Sequence, residues 1–170
     1  MDTFLAVASR REVRDYAGRP IPADLAQRIL DAGRISGSSR NTQPWRFVVV
    51  ESPSLRERLA DAVYVAGNVR GAALIVVVAV RGRGPTTFDA GRAAQNMMLT
   101  AWNEHIGSCP NGMPDPDAVG QLLDLQEDER PVTVLTFGYP ARPRDPQRRE
   151  AVQWIERADR KPFDEVVQRL

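Results

Sequence analysis

Three segments that lie far apart in the sequence carry side chains suited to binding an anion. They are residues 9–14 (SRREVR), 38–45 (SSRNTQPW) and 159–162 (DRKP). Guanidinium groups hold phosphate oxygens through paired, charge-assisted hydrogen bonds. Arginines from both ends of the chain could therefore meet around one phosphate. Because arginine-rich segments are also common on protein surfaces, a solvated surface is the alternative interpretation of this pattern alone.

The side chains that usually perform acid–base or nucleophilic catalysis are scarce. His105 is the only histidine, which excludes histidine-based metal sites and conventional triads, and we interpret it as a surface or capping residue. Cys109 is the only cysteine and has no evident activating partner. Asp115 and Asp117 flank a proline before a predicted helix, a position typical of capping residues. An enzyme with this sequence would therefore need a cofactor to carry its chemistry.

The glycine-rich motifs that bind nucleotide phosphates are also missing. The nearest match to the dinucleotide fingerprint, Gly82-Arg83-Gly84, has no third glycine in register, and no Walker loop is present. The arginine clusters would therefore suit a terminal phosphate, since the fingerprint that binds a pyrophosphate is missing.

Composition predicts one soluble, cytoplasmic domain. The chain has 170 residues, of which 42% are hydrophobic and 26% charged, and its net charge of +1 gives no general attraction to nucleic acid or membrane. A single cysteine excludes an internal disulfide and favours a reducing compartment. The first residues do not resemble a signal peptide. The longest apolar run, residues 72–80, is far shorter than the roughly 20 residues of a membrane span.

The elements that must position these segments alternate between short strands and helices. The run 73–80 (ALIVVVAV) is apolar without alternation, as expected of a strand buried on both faces. Residues 89–105 have little polar face and predict a long, central helix. Together the patterns predict an α/β sheet with helices on both faces. The predicted strands are 47–50, 73–80 and 131–137, and the predicted helices are 22–33, one starting at Ser52-Pro53, 89–105, 118–125 and 162–170. Residues 142–149 (RPRDPQRR) are interpreted as a surface connector or extended arm.

Four stretches of this sequence resemble the FMN-dependent nitroreductase family. SRREVRDY, together with residues 21–50, is similar to the opening of that family. Residues 89–109 resemble its central helix and the turn that follows. VTVLTFGYP and RKPFDEVV resemble its last core strand and its closing segment. The order is correct over nearly the whole chain, and the Asn-x-Gln-Pro-Trp element (residues 41–45) is fairly specific.

The resemblance implies an α+β fold: a three-layer α/β/α sandwich built as an intertwined homodimer, with two FMN sites at the subunit interface. Residues 1–170 would form a single FMN-binding domain. Within it, residues 141–170 would form a C-terminal arm that reaches the partner subunit. No nucleic acid or membrane partner is implied.

The resemblance also implies roles for individual residues. No catalytic side chain and no metal would be required, because the flavin carries the chemistry. Trp45 would anchor its loop by packing. The remaining implied contacts are Arg10, Arg11, Arg160 and Lys161 at the FMN phosphate; Arg14 at the N1–O2 edge of the flavin ring; Ser38, Ser39 and Asn41 at the ring or ribityl chain of the partner's flavin; and Gly107 and Ser108, within residues 107–111, near N5.

Two features of this chain depart from the family pattern. Glu12 stands where the family often has serine, and a carboxylate there would repel a phosphate, so we expect Glu12 to turn away or to pair with an arginine. Only about eight residues separate the predicted strand ending at Val80 from the helix starting at Asp89. Larger relatives insert a helical excursion over the flavin there, so a less covered site is expected.

These inferences leave three functional hypotheses. The first is an FMN oxidoreductase that takes hydride from NAD(P)H and reduces a small electron-poor acceptor, such as a nitroaromatic or a quinone. The second is a flavin-binding storage, carrier or sensor protein with little turnover. The third is an unrelated α/β domain without a cofactor.

Overall fold

A computed structural model describes residues 1–170, which fall into two compact units. One unit combines Met1–Arg10 with Asp145–Leu170, and the other is Arg11–Arg144. A single domain with an arm from residue 141 remains a prediction. In chain order the elements are α1 (Thr3–Ser9), α2 (Ala23–Arg34), β1 (Trp45–Val49), α3 (Pro53–Asp61), α4 (Ala66–Gly71), β2 (Leu74–Arg81), α5 (Thr86–Asn103), β3 (Gly107–Asn111), α6 (Pro116–Leu122), β4 (Glu129–Gly138), α7 (Ala151–Glu156) and α8 (Phe163–Val166).

The larger unit is built on a four-stranded sheet with the order β1-β2-β4-β3. All three strand pairings are antiparallel. β2 occupies a central position, and its residues 74–80 are all buried. Successive side chains of a strand point to opposite faces. Burial of the whole run therefore means that both faces of the sheet are covered, as the sequence predicts.

Two apolar clusters cover the two faces of this sheet. On one face, Ile29 of α2 and Met97 of α5 pack against the sheet. On the other face, Leu59 of α3, Val69 of α4 and Val119 of α6 pack against it. The larger unit is thus a three-layer α/β/α arrangement on an antiparallel sheet, which confirms the predicted α+β class.

β3 is a strand that the sequence patterns did not predict. The resemblance implied a turn after the long helix, and the glycine, proline and asparagine of residues 107–111 (GSCPN) have low strand propensity. β3 nevertheless pairs with β4 from Gly107 to Asn111. It lies at the edge of the sheet, where Pro110 can be accommodated since its missing N–H removes no central ladder bond. Pairing with a strongly apolar neighbour therefore overrides local preference.

The long helix α5 has different ends from those predicted. It begins at Thr86 rather than Asp89 and ends at Asn103 rather than at His105. His105, which is exposed, takes a left-handed conformation with φ of 59°, and the N–H of the next residue donates to Ala101 O at 2.9 Å. Such a residue closes the last helical turn. None of the helices, α5 included, combines the length and the apolar character needed to cross a bilayer.

The smaller unit is formed by α1, α7 and α8 with the segments around them. α1 packs against α7, and Trp154 Nε1 of α7 donates to Pro146 O at 2.9 Å. The prediction of a final helix over residues 162–170 was wrong in length, because α8 covers only four residues. All residues from 162 to 170 are exposed. A helix that buries no apolar face has little to stabilise it beyond one turn.

Candidate functional site

The arginine-rich segment 11–14 lies along the outer edge of β3. Glu12 forms a parallel bridge with Ser108, and Val13 N donates to Ser108 O at 3.0 Å. The buried Val13 side chain sits against Gly107, where an added Cβ would lie 2.6 Å from Val13 Cβ. The structure therefore brings Arg11 and Arg14 next to Gly107 and Ser108, four of the residues for which the resemblance implies cofactor contacts.

Ser108 carries a polar atom that the chain itself does not satisfy. The residue is 2% exposed, and its Oγ has no hydrogen-bond partner. Nearly all buried polar groups in proteins are paired, and an unpaired one costs about 1–3 kcal/mol. A ligand with a polar edge lying along β3 would supply the missing partner. This atom is the clearest sign that residues 107–108 border a binding site.

A buried polar network holds β3 in place. Asn111 Nδ2 donates to Cys109 O and to Val134 O, both at 3.2 Å. Asn68 Nδ2 donates to Asn111 Oδ1 at 2.7 Å, and Thr136 Oγ1 donates to Cys109 O at 3.0 Å. The sequence gives no motif for this network, because isolated polar residues in apolar strands follow no spacing rule. Its effect is to fix the strand that carries Ser108.

Tyr16 extends the network to the segment that follows Arg14. Its hydroxyl lies 2.9 Å from Thr136 Oγ1, and its ring packs on Gly138, where a Cβ would lie 2.7 Å from the ring. Burial raises the pKa of the Tyr16 hydroxyl well above its usual range. The side chain thus anchors residues 11–16 on the sheet.

We expect Tyr16 to stay protonated in the folded protein at alkaline pH. Because folding raises its pKa above the ordinary value of about 10, the resulting stability is present below that pH and is lost as the pH rises beyond it. Tyrosinate absorbance and far-ultraviolet circular dichroism, followed together against pH, would test this. One tyrosinate should form only as the protein unfolds, and Tyr16→Phe should abolish that step. Ionisation of all three tyrosines in the folded state would contradict the prediction.

Arg14 belongs to a basic cleft rather than standing alone. The cleft has a volume of about 300 Å³. Its charged lining residues are Glu12, Arg14, Asp15, Arg142 and Arg144. Sequence analysis assigned Arg142 and Arg144 to a surface connector, since their distance along the chain from Arg14 gave no reason to group them. Glu12 also lines this cleft, and the expectation that it turns away or pairs with an arginine stays a prediction.

The loop of residues 38–45 is fastened to the start of α5. Ser39 N donates to Asp89 Oδ2 at 3.0 Å, and Asp89 is 2% exposed. Within the loop, Gln43 N donates to Ser38 Oγ at 2.9 Å. Trp45 is half-buried and stacks with Phe47, which agrees with the packing role expected of it. The sequence analysis did not predict that the buried carboxylate of Asp89 would anchor this loop.

The same loop carries unusual backbone conformations. Arg40, Asn41 and Gln43 have φ values of 51°, 57° and 48°. Residues with a side chain rarely adopt this left-handed region, although asparagine tolerates it better than most. Such residues cluster at ligand-binding sites, where the surrounding structure holds them in place. The loop geometry therefore supports a binding role for Asn41.

Within one chain, this loop and β3 lie near opposite ends of α5. Ser39 contacts Asp89 in the first turn of the helix, whereas Gly107 follows its last turn. Fourteen residues separate Asp89 from Asn103, which corresponds to about 20 Å along the axis. A single flavin ring cannot span that length. The structure thus groups residues 11–14 with 107–108, but it does not group either with residues 38–41.

The remaining predicted residues, Arg10, Arg160 and Lys161, belong to the smaller unit. Arg160 and Lys161 are exposed, and Arg160 Nη1 donates to Ala158 O at 3.0 Å. Arg10 is half-buried at the end of α1. No group of three or more histidine, cysteine, aspartate or glutamate residues is arranged to hold a metal ion.

Comparison with known proteins decides the family. The model of the nitroreductase family matches residues 7–81 and 66–139, which include the arginine segment, the loop and β3. The chain belongs to the nitroreductase family. This membership places it among oxidoreductases of a typically flavin-dependent class. The resemblance stated from the sequence is thereby confirmed.

Individual relatives agree with the family match. A protein of Methanothermobacter thermautotrophicus with the provisional name NADH dehydrogenase/NAD(P)H nitroreductase is 29% identical over 150 residues, covering 83% of this chain and 78% of the relative. The crystal structure of a nitroreductase family protein from Clostridium difficile 630 superposes with a TM-score of 0.83 at 23% identity, covering 99% and 98% of the two chains. An FMN-dependent nitroreductase from Clostridium difficile R20291 gives 0.75 at 20% identity, covering 85% and 90%. The two structures share the nitroreductase fold with this chain.

Proposed function

We propose that this nitroreductase-family protein is an FMN-dependent oxidoreductase that oxidises NAD(P)H and reduces a small electron-poor acceptor of the nitroaromatic or quinone class. The observation that carries the proposal is the unpaired, buried Ser108 Oγ on β3, next to the arginine segment 11–14. The printed names of the relatives support the choice of NAD(P)H, and that of one structural neighbour supports FMN. FMN, when bound, supplies the hydride-transfer chemistry for which the chain has no side chains.

The residues near β3 would hold the flavin ring. Ser108 Oγ is free to hydrogen-bond with a polar atom of the ring, and Gly107 leaves room for Val13 to pack behind it. Arg14 would lie opposite the N1–O2 edge and stabilise negative charge there. Arg10, Arg11, Arg160 and Lys161 would hold the phosphate. Tyr16 and Asn111 would act as positioning residues, because they fix the backbone that carries these groups.

The proposed site is completed by a second copy of the chain. Ser38, Ser39 and Asn41 would contact the partner's cofactor, because the loop lies about 20 Å along α5 from Gly107 and cannot reach the same flavin within one chain. Residues 141–170 would reach the partner as a C-terminal arm. The proposed functional unit is therefore a homodimer with two sites.

Spectroscopy of the purified protein tests the proposal directly. We expect the absorbance spectrum of an oxidised flavin, and chromatography of the heat-released cofactor should identify FMN. Anaerobic mixing with NADPH and with NADH should bleach the flavin, and a nitroaromatic or quinone should restore its colour. FAD, or no flavin after reconstitution, would contradict the proposal. Bound FMN that no nicotinamide donor bleaches would favour a storage or carrier protein instead.

The dimer should be required for cofactor binding. Sedimentation in dilute buffer is expected to give about twice the chain mass. Asn41→Ala should leave the dimer intact while weakening FMN binding, because the side chain contacts the cofactor rather than the interface. A monomer that keeps its FMN would disprove the shared site.

The phosphate contacts and the ring contact should separate by mutation. Arg10→Ala and Arg160→Ala each remove charge-assisted hydrogen bonds worth about 1.5–3 kcal/mol, which corresponds to roughly 10-fold to 100-fold weaker FMN binding. The potential of the flavin that remains bound should barely change. Arg14→Ala should instead lower that potential, with a smaller loss of affinity. Fluorescence titration and dye-coupled potentiometry measure the two quantities. A shift in potential with Arg10→Ala but not with Arg14→Ala would reverse the assignment.

A further inference from the structure

The smaller unit carries an arginine that lacks both a hydrogen-bond acceptor and a counterion. Arg149 is half-buried, and its Nη1 atom is buried without a hydrogen-bond partner. The side chain forms no salt bridge, although five other arginines of this chain pair with carboxylates. Because a buried donor on a charged group is costly to leave unpaired, we expect an acceptor from outside the chain at this position.

The charged groups around Arg149 add to its positive charge instead of offsetting it. Burial and the like charges of Arg148 and Arg157 lower the pKa of the Arg149 guanidinium, and no carboxylate contributes to this shift. Arg148 and Arg157 are exposed, and neither forms a salt bridge. These three residues, named here the Arg149 cluster, therefore bring three positive charges together without a counterion.

The carboxylates that lie closest in the sequence have other roles. Asp145 Oδ1 accepts a hydrogen bond from Gln147 N at 2.9 Å. Glu150 is the N-cap of α7 and forms a capping box with Gln153. Glu156, at the end of α7, forms no salt bridge. The smaller unit thus leaves the charge of the cluster to be neutralised by a ligand.

The cluster is mounted on packed elements. The guanidinium groups of Arg148 and Arg149 lie 5.8 Å and 5.1 Å from the centre of the Trp154 ring. Trp154 Nε1 is bonded to Pro146 O, and α1 packs against both α7 and the 3₁₀ turn at Pro146–Arg148. An aromatic face attracts and orients a guanidinium but supplies no acceptor oxygen. Arginines that are held before a ligand arrives lower the ordering cost of binding.

The charge of the cluster selects among anions. Three positive charges without a counterion favour a multiply charged ligand. A phosphate group carries roughly −1.5 to −2 charges near neutral pH and has three strong acceptor oxygens. Pairs of these oxygens accept bidentate hydrogen bonds from guanidinium groups. A carboxylate has one charge and two oxygens, so it would leave most of the positive charge without compensation.

We propose that Arg149, together with Arg148 and Arg157, binds a phosphate group. Two sources share this chemistry: inorganic phosphate from solution and the 5′-phosphate of FMN. The choice between them rests on the proposed function, which assigns the FMN phosphate to residues 10–11 and 160–161. Arg10, Arg160 and Lys161 make no contribution to the pKa shift of Arg149. The expected source is therefore inorganic phosphate, bound at a site that does not use those residues.

Calorimetry of the full-length, FMN-loaded protein with inorganic phosphate tests the proposal, with chloride at matched ionic strength as the reference titration. Arg149→Gln and Arg157→Gln each remove charge-assisted contacts, so we expect phosphate to bind roughly 10-fold to 100-fold more weakly to either variant. Arg157→Gln changes an exposed side chain and keeps the test valid if Arg149→Gln does not fold. Arg58→Gln on α3 is the matched control, because Arg58 is exposed and forms no salt bridge. Its phosphate affinity should not change.

Thermal unfolding separates a binding role from a merely structural one. A ligand that binds only the folded state raises the melting temperature. Added phosphate should therefore raise the Tm of the unmodified protein and of Arg58→Gln, but not that of the two cluster variants. A cluster with only a structural role would lower the Tm by the same amount with and without phosphate.

Fluorescence titrations of FMN and riboflavin in phosphate-free buffer distinguish the two sources. Weaker phosphate binding in both cluster variants, with FMN affinity unchanged, supports inorganic phosphate. A loss of affinity for FMN but not for riboflavin supports the phosphate site and makes the cofactor its source. The proposal is overturned if neither ligand is affected, or if riboflavin or the Arg58→Gln control shows an equal loss. If the protein binds no flavin, the proposed function fails, whereas phosphate titration of the flavin-free protein still reports on the cluster.

Discussion

Replacing Gly107 by alanine is expected to cost the protein about 2–3 kcal/mol of folding stability and most of its cofactor affinity. The new Cβ would lie 2.6 Å from both Cβ and Cγ2 of Val13, which is buried and cannot swing away as a long flexible side chain would. To relieve this overlap, the segment that carries Arg14 must leave β3. The bond from Val13 N to Ser108 O would then break, and two groups of proposed cofactor contacts would separate.

Denaturant unfolding and FMN titration measure the two losses. Gly91→Ala in α5 is the matched control, because nothing lies within 4 Å of an added Cβ there. That substitution should stabilise the helix by about 0.5–1 kcal/mol. Adding Val13→Gly to Gly107→Ala removes all three overlapping atoms and should recover part of the cofactor affinity. Full FMN affinity in the single variant would show that residues 11–14 and 107–108 do not act together.

Asn111→Leu is expected to be the most damaging single change to stability, at about 3–5 kcal/mol. Leucine is similar in size, so the loss comes from hydrogen bonds rather than from a cavity. Val134 O and Asn68 Nδ2 would lose partners that are buried, and Cys109 O would keep only the bond from Thr136. Unpaired buried groups bear the full cost of their desolvation.

Chemical unfolding followed by circular dichroism would measure this change. Asn96→Leu serves as the control, since Asn96 also hydrogen-bonds through its amide, at 2.7 Å to Ser36 Oγ, but is itself exposed. Its cost should stay below about 1 kcal/mol. An Asn111→Leu protein as stable as the control would mean that solvent or a rearranged neighbour satisfies the freed groups.

Elements with a strong local signal could be predicted from the sequence. The apolar run at β2 predicted a strand buried on both faces. Ser52 and Asp115 cap the helices that follow them, as their positions predicted. Predictions failed where tertiary pairing overrides propensity. β3 contains glycine and proline and forms because β4 offers it a partner, whereas the end of the chain has helical spacing but no surface to pack on.

The candidate site divides in the same way. The arginine segment and the polar loop were identified by their residue types, and residues 107–108 from the family pattern, which preserves order along the chain. Arg142, Arg144 and the Asn111 network were not predicted, because only the fold brings the two arginines into one cleft with Arg14 and Asn111 next to Asn68. The unpaired hydroxyl of Ser108 is likewise a property of the packed structure. Motif spacing predicts only contacts between residues that are close in sequence, whereas these residues meet neighbours that are distant in sequence.

The left-handed residues of the loop at 38–45 imply a trade-off between thermal stability and catalytic rate. Arg40 and Gln43 hold a backbone shape that glycine adopts without steric cost. Laboratory evolution for survival at high temperature would therefore enrich glycine at these two positions. The same replacements would loosen the loop in which Asn41 is proposed to contact the partner's cofactor, so the more heat-stable variants should turn over more slowly. Alternating selection for thermal stability and for catalytic rate would therefore repeatedly change residues of this loop.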